Sequence, residues 1–453
     1  MGTTGVAQGN DGTAPFFNPA TAVNVSATIG LSFNVFSGEY VQLDPSRSVD
    51  PVFGVPPAPS TDKFYFEGVP TTLCVFLEPK RFGGPRPGRA GTQKLAGCFG
   101  TIAREKLEFV GLASIRGTPR QTAQAQSFTH EASRFVFMGT YAVRVFDAFA
   151  LGASIQGLSS STRYVAGSGT STYGGSGQDV ITSYSSGTQA GSVEIAAALG
   201  ATLEIAPITI GLALQTADLH VYGDARSSGF AQYTGAQLGA FSQVQTLTGA
   251  YQAAMPWRLS LGVGGDWKKW SAEVDVSLGF PRDDAFRANF SRGEQVTTAV
   301  GGTVAREPLT KIVTDSLDWN FSAGLGLEYF TSEKLSFLGG ANFTVDPKTS
   351  QSPLLFPIRE SRIGGAFGIG TYGPAGSLLF GVQASYGWGE TTIPNPYLLP
   401  PAGASASVEN LRVLFILAGN TSLSGIKQAV ENVVAPITQG PQGPAKPAEP
   451  AKK

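Results

Sequence analysis

The chain lacks most of what catalysis and nucleic-acid binding depend on. Only 14% of its 453 residues are charged, the net charge is −1, and there are two histidines, two cysteines and three methionines. The near-neutral balance argues against nucleic acid as a partner. No nucleophile motif accompanies His130 or His220. The stretch 218–224, with Asp218 and Tyr222 beside His220, has too few donors for a metal site. The expectation is a protein that is not an enzyme and carries no cofactor and no metal. A run of about 18 uncharged apolar residues is also missing, which excludes a transmembrane helix.

What the chain does have is glycine, 58 of them, and faultless alternation. Over 270–280, Trp270, Ala272, Val274, Val276, Leu278 and Phe280 share one face, and Ser271, Glu273, Asp275, Ser277 and Gly279 share the other. Ten steps of about 3.3 Å, tilted about 40°, cover roughly 25 Å, the height of the apolar band on an outer-membrane barrel. The segments 317–329 and 23–35 repeat the pattern. Leu317, Trp319, Phe321, Leu325 and Leu327 oppose Asp318, Asn320, Gly324 and Glu328; Val23, Val25, Ile29, Leu31 and Phe33 oppose small and polar residues. Apolar residues facing lipid and small or polar residues facing a lumen require this period of two. The expected fold is an all-β transmembrane antiparallel barrel, with a large secreted β-sandwich array as the alternative.

Counting short turns counts strand pairs. Tight turns are expected near 104–106, 146–148, 206–207, 268–269, 332–334 and 373–376. Long outer stretches are expected at 37–92, 116–128, 165–187, 228–240, 283–315, 347–357 and 390–405. With a first strand at 22–36 and a last at 405–418, the total is about fourteen. Residues 71–78 are read as loop or lumen structure, and 241–267 as one strand kinked at Pro256, which has no ladder donor. Beyond the barrel, Leu423, Ile426, Ala429, Val430 and Val433 follow helical spacing, ahead of a Pro-rich extended tail. Cys74 and Cys98 are equally compatible with a bridge formed in an oxidising periplasm and with two unpaired small residues near the wall. The first residues lack the basic and apolar regions of a secretory signal, so an exported chain of this kind is read as a mature form with an added Met.

Ahead of the first strand, residues 9–20 carry Phe16, Phe17, Asn18, Pro19 and Ala20. This segment resembles the N-terminal hatch of the FadL-type transporters of long-chain fatty acids and other hydrophobic compounds, which has an Asn-Pro-Ala motif just before the barrel. The stretches 256–264 and 317–329 are similar to the family in style. The last strand, 411–419, departs from the usual pattern in having no terminal aromatic, and a tail follows it. The resemblance implies a hatch at 1–21, a barrel at 22–418 and a periplasmic tail at 419–453, in the outer membrane of a Gram-negative bacterium. It further implies passive uptake of a hydrophobic small molecule, a long-chain fatty acid or an aromatic hydrocarbon. The molecule would be caught at outer loops, held in the lumen above the hatch and released sideways into the bilayer. Gly97, Gly100 and Gly111 make the second and third strands the expected place for that release. Outer-membrane lipid and lipopolysaccharide are the other expected partners of a monomer.

The strand phases aim Arg258, Asp266, Glu273, Asp275, Asp318, Glu328, Glu194 and Glu204 into the lumen. Such charges brace a wall and tie down a plug. Functionally, Arg258 or Arg144 is expected to hold a carboxylate head while Leu338 and Leu379 face a hydrocarbon chain. A diffusion porin, and a structural or adhesin-like barrel acting through its loops and tail, are the rival readings.

Overall fold

The computed structural model describes residues 4–9, 11–25, 29–44, 60–66, 70–79, 93–116, 120–174, 180–235, 239–299, 302–345, 359–373, 376–394 and 403–421. Twenty strand segments make one antiparallel sheet. Segments that follow one another along the same neighbours combine into fourteen wall strands. These are β1 (Ile29–Asp44), β2 (Ser60–Phe66 with Pro70–Leu77), β3 (Gln93–Arg116), β4 (Arg120–Phe146), β5 (Phe149–Gly174) and β6 (Val180–Ile205). Then come β7 (Ile208–Gln215 with Leu219–Gly235), β8 (Gly239–Ala253 with Arg258–Trp267), β9 (Trp270–Gly279 with Arg282–Thr298) and β10 (Val304–Pro308, Lys311–Leu317 and Asn320–Ser332). The last four are β11 (Leu335–Val345), β12 (Arg359–Gly373), β13 (Gly376–Pro394) and β14 (Gly403–Thr421). β14 pairs back onto β1 from Ile29↔Thr421 to Asp44↔Ser407, so the sheet closes and leaves no edge.

The alternation at 270–280 is realised residue by residue. Ser271, Glu273, Asp275 and Ser277 are buried inside, and Trp270, Val274 and Val276 are exposed on the outer wall. Leu259, Leu261, Val263, Leu325, Leu327, Phe367 and Phe380 extend the same exposed apolar belt, which only a bilayer could cover without cost. Aromatic pairs mark both rims. Trp270 packs on Tyr329 at the short-turn end, with ring centroids 4.5 Å apart, and Phe280 packs on Trp319 at the other, 5.2 Å apart.

Four of the six expected short turns are present, at 147–148, 206–207, 268–269 and 333–334; at the fifth, residues 374–375 lie outside the described residues, and Gly373 pairs with Gly376 across them. The sixth is absent: β3 runs unbroken through 104–106, with only a bulge between Thr101 and Ala103. Residues 71–77 are wall rather than loop, since they form the second half of β2 and pair with both β1 and β3. The first strand begins later than expected. Val23 ends buried in a short 3-10 helix, Pro19–Asn24, and Val25 is buried just after it. Four expected outer loops, at 116–128, 165–187, 228–240 and 283–315, are largely strand. β4, β5 and β6 run for 26 or 27 residues, far beyond the roughly 25 Å band, so their upper parts stand clear of the bilayer. The stretch 347–357 and everything after Thr421, including the helical spacing at 423–433, lie outside the described residues. Cys74 and Cys98 are bonded, cross-strand partners on the inner face of β2 and β3.

Candidate functional site

The lumen is organised by the N-terminal segment. Pro15 opens one turn of helix, α1 (Ala14–Phe17), and Pro19 opens the 3-10 turn that follows. Proline suits a first helical position because its missing N–H would have no partner there. Asn18 joins the two. Its side chain accepts the Ala20 N–H at 3.0 Å and donates to the carbonyls of Val6 at 2.7 Å and Ala201 at 3.1 Å. Ala201 is on β6, so this one buried amide ties the segment to itself and to the wall.

The wall is shaped to receive it. A Cβ on Gly152 would lie 2.3 Å from the Pro19 carbonyl carbon, and one on Gly200 would lie 1.9 Å from Asn18 Oδ1. Glycine is required at these two points of backbone approach. Two carboxylates of β9 take the other end of the segment. Asp275 accepts the N–H groups of Gly5 (2.8 Å) and Val6 (3.1 Å), and Glu273 accepts those of Ala7 (2.6 Å) and Gln8 (3.1 Å). Both side chains are buried, and each carboxyl group accepts two oriented backbone N–H groups. Phe16 turns to the opposite wall, against Gly100 and the cluster containing Cys74, Cys98, Val136 and Met138.

Between this segment and β10–β14 lies a cavity of about 540 Å³ at the short-turn end. Leu338 and Leu379 both line it, together with Phe17, Leu31, Phe330 and Tyr372. Its charged lining residues are Asp11, Glu273 and Glu328, all acidic, and Tyr372 donates its hydroxyl hydrogen to Glu328.

Arg258 is elsewhere. It stands at the far end of its β8 segment from the 268–269 turn, across from Gln215 and Gly279. Val6 and Ala7 pack over Gly262, nearer the turn, so the N-terminal segment separates Arg258 from Leu338 and Leu379. The Arg258 side chain is exposed on the inner face and has no ion-pair partner among the described residues. Arg144 is occupied instead: it pairs with Glu204 at 2.8 Å and donates to Asn24 and to the Asp147 carbonyl. It braces the short-turn end, with three of its five N–H donors engaged by these groups. Asp266 is exposed near that same turn, and Asp318 accepts the Trp319 N–H in a break of β10. That break shifts the phase, so Leu317 packs inward beside Val313 instead of facing lipid.

Pattern reading also missed a buried polar cluster. Arg134 of β4 pairs with Asp218 in the β7 break. Glu194 of β6 lies 3.8 Å from His220 Nδ1. His130 is buried separately, with its Nε2 3.1 Å from Thr162 Oγ1. Arg134 lies in the strand that follows the expected outer stretch 116–128, and no local pattern singles it out. Its partner is 84 residues away.

No family model and no curated protein matches the chain. Solved structures do. The Pseudomonas putida toluene transporter TodX superposes with a TM-score of 0.52 at 11% identity, over 90% of this chain and 94% of that one. A TodX variant described as a monoaromatic hydrocarbon channel gives 0.53 at 12% identity, over 93% and 97%. A Pseudomonas aeruginosa FadL homologue gives 0.47 at 12%, over 93% and 98%. At such identities the fold is what is shared, and the chain has the fold of the FadL-type outer-membrane transporters.

Proposed function

We propose that this protein is a passive outer-membrane channel for hydrophobic small molecules, either long-chain fatty acids or aromatic hydrocarbons. The observation that carries this reading is the N-terminal segment seated inside a closed barrel, on paired carboxylates and on glycines shaped to its backbone. A diffusion pore needs no such insert. A molecule that partitions out of water gains from a lumen divided into sheltered compartments, because it avoids an aqueous column. Residues 1–21 act as the hatch. Lipid and lipopolysaccharide cover the outer belt of a monomer, and the transporter fold supports a channel over an enzyme.

Arg258 separates the two cargo classes. As an exposed lumenal guanidinium with no carboxylate partner among the described residues, it would hold an anionic head, whereas the described charged residues that line the cavity of Leu338 and Leu379 are acidic. A charge-assisted hydrogen bond contributes about 1.5–3 kcal/mol, so Arg258→Gln should weaken fatty-acid binding roughly 10- to 100-fold and leave toluene unchanged. Equilibrium binding to purified protein in detergent measures this. Equal losses for both ligands, or none for either, would remove Arg258 from the site.

A further inference from the structure

Four neighbouring strands break at nearly one height: β7 at 216–218, β8 at 254–257, β9 at 280–281 and β10 at 318–319. The breaks are stitched to one another, with Asp218 N–H donating to Met255 O (3.0 Å), Ala254 N–H to Ala285 O (2.7 Å) and Phe280 N–H to Trp257 O (2.9 Å). Here the backbone leaves the wall. Arg134 Nη1 of β4 lies 3.5 Å from the Ala253 carbonyl of β8. Neighbouring strands are about 4.8 Å apart, so four steps round a smooth wall would separate these groups by roughly 19 Å. That is more than twice the reach of an arginine side chain. The 251–257 segment therefore projects into the lumen and meets β4–β6 on the inside.

Several of its polar groups find partners there. Arg134 pairs with Asp218, whose same carboxylate oxygen accepts the Met255 N–H at 2.8 Å. Glu194 accepts the Ala253 N–H at 3.3 Å and the Ser160 hydroxyl at 3.5 Å. Arg282 donates to the carbonyls of Asp218 (3.0 Å) and Met255 (2.8 Å), two groups that the strand breaks set free. Around this polar centre Tyr251, Ala253, Ala285, Phe286, Phe290 and Leu247 form a buried apolar cluster. An ordinary lumen-facing surface would be wet at these positions.

We infer that the barrel is closed at a second level by its own wall: the inward fold of β7–β9 is a gate above the hatch, and Arg134 is the positioning residue that latches it. Arg258 begins the segment just below the fold, so cargo from the outer mouth meets the gate first and the arginine next. The inference rests on the lumen being the pathway, and it holds for any cargo.

Ion conductance in planar bilayers tests it without reference to cargo, so its failure is separable from failure of the transport reading. Four proteins are compared: the full chain, a deletion of residues 1–20, the pair Arg134→Gln with Asp218→Asn, and the combination. Two barriers in series predict that neither change alone raises conductance appreciably and that the combination raises it about tenfold or more. Asp218→Asn alone in the deleted background, which keeps the side-chain shape, replaces the pair should that fail to fold. Full conductance from the deletion alone would overturn the inference. So would wild-type conductance in a folded combination.

Discussion

Val274 and Asp275, one peptide bond apart, face two different solvents. Val274 is 51% exposed on the lipid side, and Asp275 is 4% exposed beneath the N-terminal segment. Arginine at 274 should cost about 2–4 kcal/mol of barrel stability near the midplane. The Gly5 and Val6 N–H groups share one Asp275 oxygen, Oδ2, so Asp275→Asn keeps that acceptor but makes it the weaker oxygen of an amide. It should loosen the N-terminal segment by about 1 kcal/mol and leave the wall intact. Folding titrations into lipid vesicles measure the first effect, and amide exchange at residues 5–8 measures the second. Equal effects on vesicle folding would contradict the assignment of faces. That contrast was legible in the sequence because a period of two is local. The difference between Arg144 and Arg258 was not, since what distinguishes them is Asn24 and Glu204, brought to Arg144 by the closed sheet.

The expected strand number was reached through two offsetting errors. Splitting β3 at 104–106 added a strand, and reading 71–78 as loop removed one. Arg104-Glu105-Lys106 looks like a reversal because charges interrupt an apolar pattern, but the strand has by then run about 25 Å and is leaving the bilayer. A charged triplet marks the membrane boundary as readily as a turn. The break near Pro256 was visible as a lost ladder donor, yet its inward direction depends on Arg134 and Glu194, on strands far away in sequence. The N-terminal segment makes a sharper test. Asn18→Ala strands two buried backbone groups, the Val6 carbonyl and the Ala20 N–H, at about 1–3 kcal/mol each, and also frees the part-buried Ala201 carbonyl. Amide exchange at 5–8 and 18–22 should then accelerate about tenfold or more, with the barrel strands unaffected. Unchanged exchange would mean that Asn18 does not hold the segment in place.

For the molecule as a whole, closure of β14 on β1, the exposed apolar belt and the aromatic rims follow from composition and alternation alone. The insert in the lumen was legible only through Asn18-Pro19-Ala20, since no periodicity announces a segment that borrows its partners from the wall. The central claim is that this lumen carries hydrophobic molecules and excludes ordinary polar solutes. Proteoliposomes offered a labelled fatty acid, labelled toluene and a swelling assay with sugars test it most directly. The account predicts saturable uptake of at least one hydrophobic ligand and no sugar-driven swelling; rapid swelling with neither ligand taken up above protein-free vesicles would contradict it.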